Sequence, residues 1–149
     1  MLKQGNTTGQ EGGEKQSGIG AFFGRLAGDT RLLFRKRGRL EKEARGLMSD
    51  ANSLIAKSDD YDYARTIYSR AIRSLLIAKR KSAKPSEETL ELLAEAYFGI
   101  AICKKADGIA HADELRKAVG YANRALVLNK SNRGAGSTRE YAGKLLKEC

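Results

Sequence analysis

The chain has 149 residues, a length that suits one domain with a hydrophobic core and excludes an ordinary two-domain enzyme. Hydrophobic residues make up 41% and charged residues 31%, with a single Pro and no Trp, a composition typical of a soluble helical protein rather than a β-sandwich. The net charge of +10 favours nucleic acid, an anionic membrane or an acidic protein as partner, and a basic protein without any polyanionic partner is the alternative.

Cysteine usage and the lack of long apolar runs bear on the compartment. Cys103 and Cys149 are the only cysteines, too few for a disulfide framework or a zinc site. The first residues lack the apolar core of a secretory signal, and no run reaches the roughly 18 to 20 apolar residues that span a bilayer. These features predict an intracellular, cytoplasmic protein with no signal peptide and no transmembrane segment.

The first 39 residues predict two segments outside the folded domain. Residues 1–18 contain too few apolar side chains to offset the entropy of ordering, which predicts a disordered tail. Residues 19–39, here called the basic arm, combine an apolar stripe with a basic run, and Gly20, Gly24 and Gly28 weaken an isolated helix. We expect the arm to gain order by docking on a partner or, as the alternative, by packing its apolar residues back on the first helix. Its predicted binding side chains are Phe22, Phe23, Arg31, Arg35, Lys36, Arg37 and Arg39.

Apolar residues then recur at helical spacing through two segments. Residues 40–55 predict a first amphipathic helix, and residues 61–78 predict a second with the most regular apolar stripe of the chain. Between them, Ser58-Asp59-Asp60 predicts a turn in which an Asp side chain caps the second helix and suits its positive end.

Three further helices are predicted after residue 80. Pro85-Ser86-Glu87-Glu88 predicts the start of the third helix with Ser86 as its cap, and residues 90–103, interrupted mainly by Glu91 and Glu95, predict a buried body. A fourth helix is predicted at residues 115–126 and a fifth at residues 137–148. We therefore expect an all-α domain over residues 40–149, made of antiparallel helical hairpins whose last helix covers an apolar face.

Small residues at helical spacing mark two places where helices can approach closely. They are Ala64-x-x-x-Tyr68-x-x-Ala71 in the second helix and Ala118-x-x-x-Ala122-x-x-Ala125 in the fourth. The first pattern resembles the second helix of the tetratricopeptide repeat (TPR), and Phe98-Gly99 resembles the bulky–Gly pair of that family's first helix. The resemblance implies about two repeats plus a C-terminal capping helix, in a non-catalytic adaptor or assembly subunit of a larger complex.

A second resemblance covers residues 40–106. The segment 56–72 is similar to the join between the first two helices of MIT domains, three-helix bundles that bind short helical tails of membrane-remodelling proteins. An MIT domain would end near residue 106, so the predicted fourth and fifth helices favour TPR-like hairpins. Binding of helical tails by an MIT-like domain is kept as an alternative.

The TPR resemblance also implies where a partner binds. In that family the first helix of each pair lines a groove for a peptide or helix of another protein. The corresponding positions here are Ser49, Ser53, Lys57, Ala96, Ile100, Cys103 and Lys104. The basic arm predicts a second attachment or, as an alternative function, contact with an anionic membrane surface or with RNA.

Side chains for catalysis or metal binding are sparse. His111 is the single histidine and lies in a predicted loop, while Asp59, Asp60 and Asp62 lack the Gly and the terminal Glu of a calcium loop. Cys103 lies in an apolar run that suits a core residue better than a nucleophile. The sequence therefore predicts a protein that is not an enzyme, without catalytic residues, metal, cofactor or small-molecule substrate.

Overall fold

Five α-helices follow one another in residues 35–149, the part of the chain that the structure, a computed structural model, describes. They are α1 (Arg37–Ser58), α2 (Tyr61–Arg80), α3 (Glu87–Ala106), α4 (Ala112–Leu128) and α5 (Arg133–Lys147). Each helix packs against the next through a short connection, and α3 also contacts both α1 and α5. The predicted all-α fold of helical hairpins is confirmed.

Three helix starts differ from the prediction, and one of them is that of α4, which begins at Ala112 and not at residue 115. α1 begins at Arg37, so the last residues of the predicted arm belong to the helix. α5 begins at Arg133 and not at residue 137, because the Asn132 side chain caps the helix by accepting a hydrogen bond from the Ala135 N–H at 2.8 Å. Residues 1–34 lie outside the described residues, and with them the predicted tail and the arm positions Phe22, Phe23 and Arg31.

The two predicted side-chain caps are confirmed. Asp60 accepts a hydrogen bond from the Tyr63 N–H at 3.1 Å at the start of α2. Ser86 does the same for the Thr89 N–H at 3.0 Å at the start of α3. The residue before Asp60, Asp59, has a φ of 54°, a left-handed conformation that ends α1 and allows the short turn into α2.

The small residues of the two sequence patterns lie at the helix contacts, as predicted. Ala64 and Ala71 are fully buried in a core formed by α1, α2 and α3. The alanines of α4 are also fully buried: Ala122 and Ala125 pack with Leu90 and Ala94 of α3, and Ala118 packs with Ala101 of α3. Because alanine places only a methyl group between two backbones, these contacts hold α3 close to both of its outer neighbours, α2 and α4.

Tyr68 makes the closest of these contacts. Its ring lies directly on the backbone of α3 at Gly99, where a Cβ atom would overlap the ring. Its hydroxyl donates a hydrogen bond to Asn52 Oδ1 on α1. A single side chain of α2 therefore sets the separation of α1 and α3, and it requires glycine at position 99.

The first turns of α1 and α3 are joined by polar contacts. Glu41 of α1 is buried, and its carboxylate accepts hydrogen bonds from the hydroxyls of Ser86, at 2.8 Å, and Thr89. One turn further on, Arg45 forms an ion pair with Glu88, with 2.6 Å between Nη2 and Oε2. These contacts fix the register of the two helices.

We predict that Gly99→Ala destabilises the protein by about 1–3 kcal/mol, because the added methyl group forces the Tyr68 ring out of its site. The matched control is Gly120→Ala in α4, where nothing lies within 4 Å of the added Cβ atom. That variant should gain about 0.5–1 kcal/mol from helix propensity. Urea unfolding of both variants measures the difference, and equal effects would show that Tyr68 does not require a glycine.

Candidate functional site

An open cavity of about 310 Å³ lies over α3, between α1 and α5. We call it the α1–α3–α5 groove. Its lining residues are Met48, Asn52 and Ile55 from α1, Tyr68 from α2, Glu95, Phe98, Gly99 and Ile102 from α3, and Thr138 from α5. Apolar side chains therefore lie beside polar groups along one surface formed by α1, α3 and α5, to which α2 contributes Tyr68.

The floor of the groove is the contact between Tyr68 and Asn52. Burial, with a contribution from Cys103, raises the pKa of Tyr68 to about 12, so the hydroxyl stays protonated and donates to Asn52 Oδ1. The amide nitrogen of Asn52 is then left to donate to another group, and the Asn52 residue is exposed. The groove thus offers a donor beside its apolar walls.

An acidic pair lies at the start of the groove. Burial, together with the hydrogen bond to Glu91 and the charge of Glu91, raises the pKa of Glu95 to about 7, and the charge of Arg45 acts in the opposite direction. The Asn132 side chain donates to Glu91 Oε1 at 3.0 Å. The backbone of α5 also lies against the pair, since a Cβ atom at Gly134 would overlap the Glu91 carboxylate.

On α1 and α3 the groove lining lies one or two residues earlier than the positions implied by the TPR resemblance. On α1 the lining residues are Met48 and Asn52, whereas Ser49, Ser53 and Lys57 are exposed outside the lining. On α3 the groove is lined by Glu95, Phe98 and Ile102. A shift of one residue turns a helix by about 100°, which places the implied positions on neighbouring faces.

The implied positions on α3 have other contacts. Ala96, Ile100 and Cys103 are buried in the core shared with α1 and α2. Lys104 faces α4, where its Nζ lies 2.8 Å from Glu114 Oε2. These four side chains are engaged in packing or ion pairing and do not line the groove.

The sequence contained one signal for the lining of this groove. Glu91 and Glu95 interrupt an otherwise apolar helix at a spacing of four residues, which places both carboxylates on one face. A face that carries two acids in a largely buried helix is expected to lie along an opening to solvent, and Glu95 of this face lines the groove.

Cys103 has the environment predicted for a core residue. It is fully buried, and burial, together with the charge of Asp107, raises the pKa of its thiol to about 11. Within residues 35–149, no group of three or more His, Cys, Asp or Glu side chains is placed to hold a metal ion. Asp60 and Asp62 instead serve the start of α2, as its cap and as the partner of Arg65 at 2.8 Å.

A second surface gathers positive charge around two aromatic rings. Tyr97 of α3 and Tyr121 of α4 are stacked with their ring centroids 5.8 Å apart. Lys117 lies 5.3 Å from the centroid of Tyr97, and Lys79 and Arg124 lie 5.9 Å and 5.6 Å from that of Tyr121. We call this group of five side chains the tyrosine–cation patch.

Four predicted arm residues belong to the described part of the chain. Lys36, Arg37 and Arg39 are exposed at the start of α1, and Arg35 is half-buried. Arg39 also forms an ion pair with Glu43 one turn later, at 3.6 Å. The first turn of α1 therefore presents basic side chains to solvent.

Comparisons of the chain with protein-family models, with curated proteins and with solved structures give no match. The TPR and MIT resemblances therefore stay predictions based on the residues quoted above. Among the helices of residues 35–149, not one has both the length and the apolar character needed to cross a bilayer.

The Glu91–Glu95 pair predicts a specific pH dependence of stability. The pKa of Glu95 in the folded protein, about 7, lies above its ordinary value of 4.5, so the folded state binds the proton more tightly than the unfolded state. This contribution to stability is present below pH 4.5 and is lost as the pH rises through 7. Glu95→Gln should remove that loss, so its free energy of unfolding should fall less between pH 5 and pH 8 than that of the unchanged protein.

Glu114→Gln is the matched control. Burial alone would raise the pKa of Glu114, but the hydrogen bond from Lys104 brings it below the ordinary value, so its titration lies under this pH range. The variant should be less stable by a constant amount and keep the slope of the unchanged protein. Urea unfolding at several pH values measures all three proteins, and identical slopes for Glu95→Gln and the unchanged protein would contradict the prediction.

Proposed function

We propose that this chain is a non-catalytic protein-interaction module, an adaptor or assembly subunit of a larger complex. In this proposal the α1–α3–α5 groove binds a peptide or a helix of a partner protein. The observation that carries the proposal is the groove itself, in which the apolar side chains of Met48, Ile55 and Ile102 lie beside the polar groups of Asn52 and Glu95.

The shape of the groove favours a polypeptide as ligand. Its volume, about 310 Å³, lies at the lower end of the range for small-molecule pockets, roughly 300–1,000 Å³, and it is open rather than enclosed. Two helices, α1 and α5, flank it, so it suits side chains that project from one face of a bound segment. Amphipathic helices bind grooves of this kind through apolar side chains on a single face.

The resemblances point to the same class of function. TPR proteins bind peptides or helices along the first helices of their repeats, and here the groove is formed mainly by α1, α3 and α5, the helices in those positions. An MIT-like domain would bind a helical tail, so that alternative predicts the same kind of ligand. An intracellular, cytoplasmic location, where such assemblies form, is part of the proposal.

A peptide selection tests the proposal. We expect that a displayed library of random 16-residue peptides, selected against the full chain, yields binders that Ile102→Glu weakens at least tenfold, because the new charge enters the groove. Ile102 is only half-buried and belongs to none of the core clusters, so the variant should fold.

Val127→Glu is the control, since Val127 is 81% exposed on α4 and lies outside the groove lining. Fluorescence anisotropy gives the affinities, and circular dichroism checks that both variants are folded. Binders that tolerate Ile102→Glu as well as Val127→Glu would place the binding surface elsewhere.

Nucleic-acid binding is a second candidate function, favoured by the tyrosine–cation patch. None of its three cations, Lys79, Lys117 and Arg124, forms an ion pair with a carboxylate of the described residues. Cations beside aromatic rings suit phosphates and bases of a single strand. The exposed Lys36, Arg37 and Arg39 at the end of the basic arm extend this alternative, in which the arm contacts RNA or an anionic membrane surface.

Replacing Lys79, Lys117 and Arg124 together by Gln tests the second candidate. The control replaces Lys130, Lys144 and Lys147, three exposed lysines whose loss changes the net charge equally. Binding to a labelled 20-nucleotide poly(U) strand should weaken in the first variant, with a salt dependence reduced by about 2 in the log–log slope. An equal loss in the control variant would show that net charge alone attracts the strand.

A further inference from the structure

We propose that the segment bound in the α1–α3–α5 groove carries a Lys or Arg side chain that pairs with the Glu91–Glu95 carboxylates, next to an apolar side chain that packs on Ile102. The inference rests on the proposed function, because it names the chemistry of the partner at the same groove. It follows from the polar contacts, the charges and the spacing of the groove residues.

The contacts around Glu95 leave its carboxyl group without a basic partner in the described residues. Its carboxyl group lies in the groove lining and has Glu91, another acid, as its hydrogen-bond partner. Arg45, whose charge opposes the rise in the pKa of Glu95, is engaged by Glu88 through Nη2 at 2.6 Å and Nε at 2.8 Å. Within residues 35–149, no Lys or Arg comes within ion-pair distance of Glu95.

The contact between the carboxyl groups of Glu91 and Glu95 is unfavourable when both are ionised. Two carboxylates in contact and partly removed from water cannot both ionise freely, so one of them retains a proton near neutral pH. A cation placed between the two allows both to ionise and replaces a like-charge contact by two attractive ones. The site is therefore complementary to a basic side chain in a way that the free protein leaves unused.

The groups that surround the Glu91–Glu95 pair come from α1, α2, α3 and α5. α1 contributes Arg45, already paired, and α2 contributes the neutral hydroxyl of Tyr68. α5 contributes the neutral Thr138, its backbone at Gly134 and the neutral amide of its cap Asn132, which donates to Glu91. α3 adds Glu88 to the pair itself. The surroundings are thus acidic in a chain whose net charge is +10, which selects a basic segment against an acidic one.

The distance between the acidic and the apolar part of the groove sets the spacing expected in the bound segment. Glu95 and Ile102 are seven residues apart on α3, which corresponds to about 10 Å along the helix. In a bound helix the basic and the apolar residue would lie two turns apart, at i and i+7. In an extended segment they would lie about three residues apart, since a strand rises roughly 3.3 Å per residue.

The experiment uses the full chain and the peptide library described above. We expect enrichment of peptides with Lys or Arg at one of these spacings from Leu, Ile, Met or Phe. The tightest binder is resynthesised with norleucine in place of its basic residue, which keeps the aliphatic chain and removes the charge. That change should weaken binding at least tenfold to the unchanged protein and by a clearly smaller factor to Glu95→Gln, in which Glu91 alone remains to pair with the basic side chain.

The matched control is Glu140→Gln, which removes an exposed carboxylate of α5 outside the groove lining and should keep the tenfold effect. The pH supplies a second readout. Because a group with a pKa of about 7 must lose its proton when a cation binds, affinity for the basic peptide should rise about tenfold between pH 6 and pH 8. The norleucine peptide should show no such rise.

Three results would overturn the inference. Groove binders that are sensitive to Ile102→Glu but lack a basic residue would refute the partner chemistry and leave the proposed function standing. A lack of any binder sensitive to Ile102→Glu would refute both. Self-association of the chain that blocks peptide binding, measured by sedimentation, would make a second copy the occupant of the groove.

Discussion

The contact of Tyr68 with Gly99 is the constraint on which the rest of this structure depends. Because the ring lies on bare backbone, α3 sits deeper between its neighbours than any side chain at position 99 would allow. The Tyr68 hydroxyl donates a hydrogen bond to Asn52 of α1, so a single residue of α2 positions both α1 and α3. The same ring forms the floor of the α1–α3–α5 groove. The groove is open above it because the ring packs so closely on α3.

Placing α3 so centrally has an electrostatic consequence. Its first half carries four acids: Glu88 pairs with Arg45, Glu87 and Glu91 both accept from Asn132, and Glu95 is left with Glu91. The first three contacts fix α1 and α5 beside the start of α3. The contact between Glu95 and Glu91 is unfavourable in the free protein when both are ionised. Glu95 lines the groove, where the basic side chain proposed above would relieve this contact.

Local signals in the sequence predicted the fold well, and the groove poorly, for a physical reason. Helix periods, the caps at Asp60 and Ser86, and the alanines of α2 and α4 depend on neighbours within a few residues, so they are readable without tertiary structure. The groove lining depends on the rotation of α1 and α3 about their axes. That rotation is set by the Tyr68–Gly99 contact and by the bonds of Glu41 to Ser86 and Thr89, between residues more than 30 positions apart.

The charge that a basic segment meets at a distance from this protein is opposite to the charge that it meets in the groove. At a distance a basic segment meets a net charge of +10 and is repelled, whereas in the groove it meets the carboxylates of Glu91 and Glu95. Salt screens the long-range repulsion over about 8–10 Å but acts less on a partly buried pair. Binding that depends on this pair should therefore survive physiological salt, while binding of polyanions to the tyrosine–cation patch should weaken steadily as salt rises. The two surfaces thus carry opposite charge patterns, and the two proposed kinds of ligand differ in their expected salt dependence.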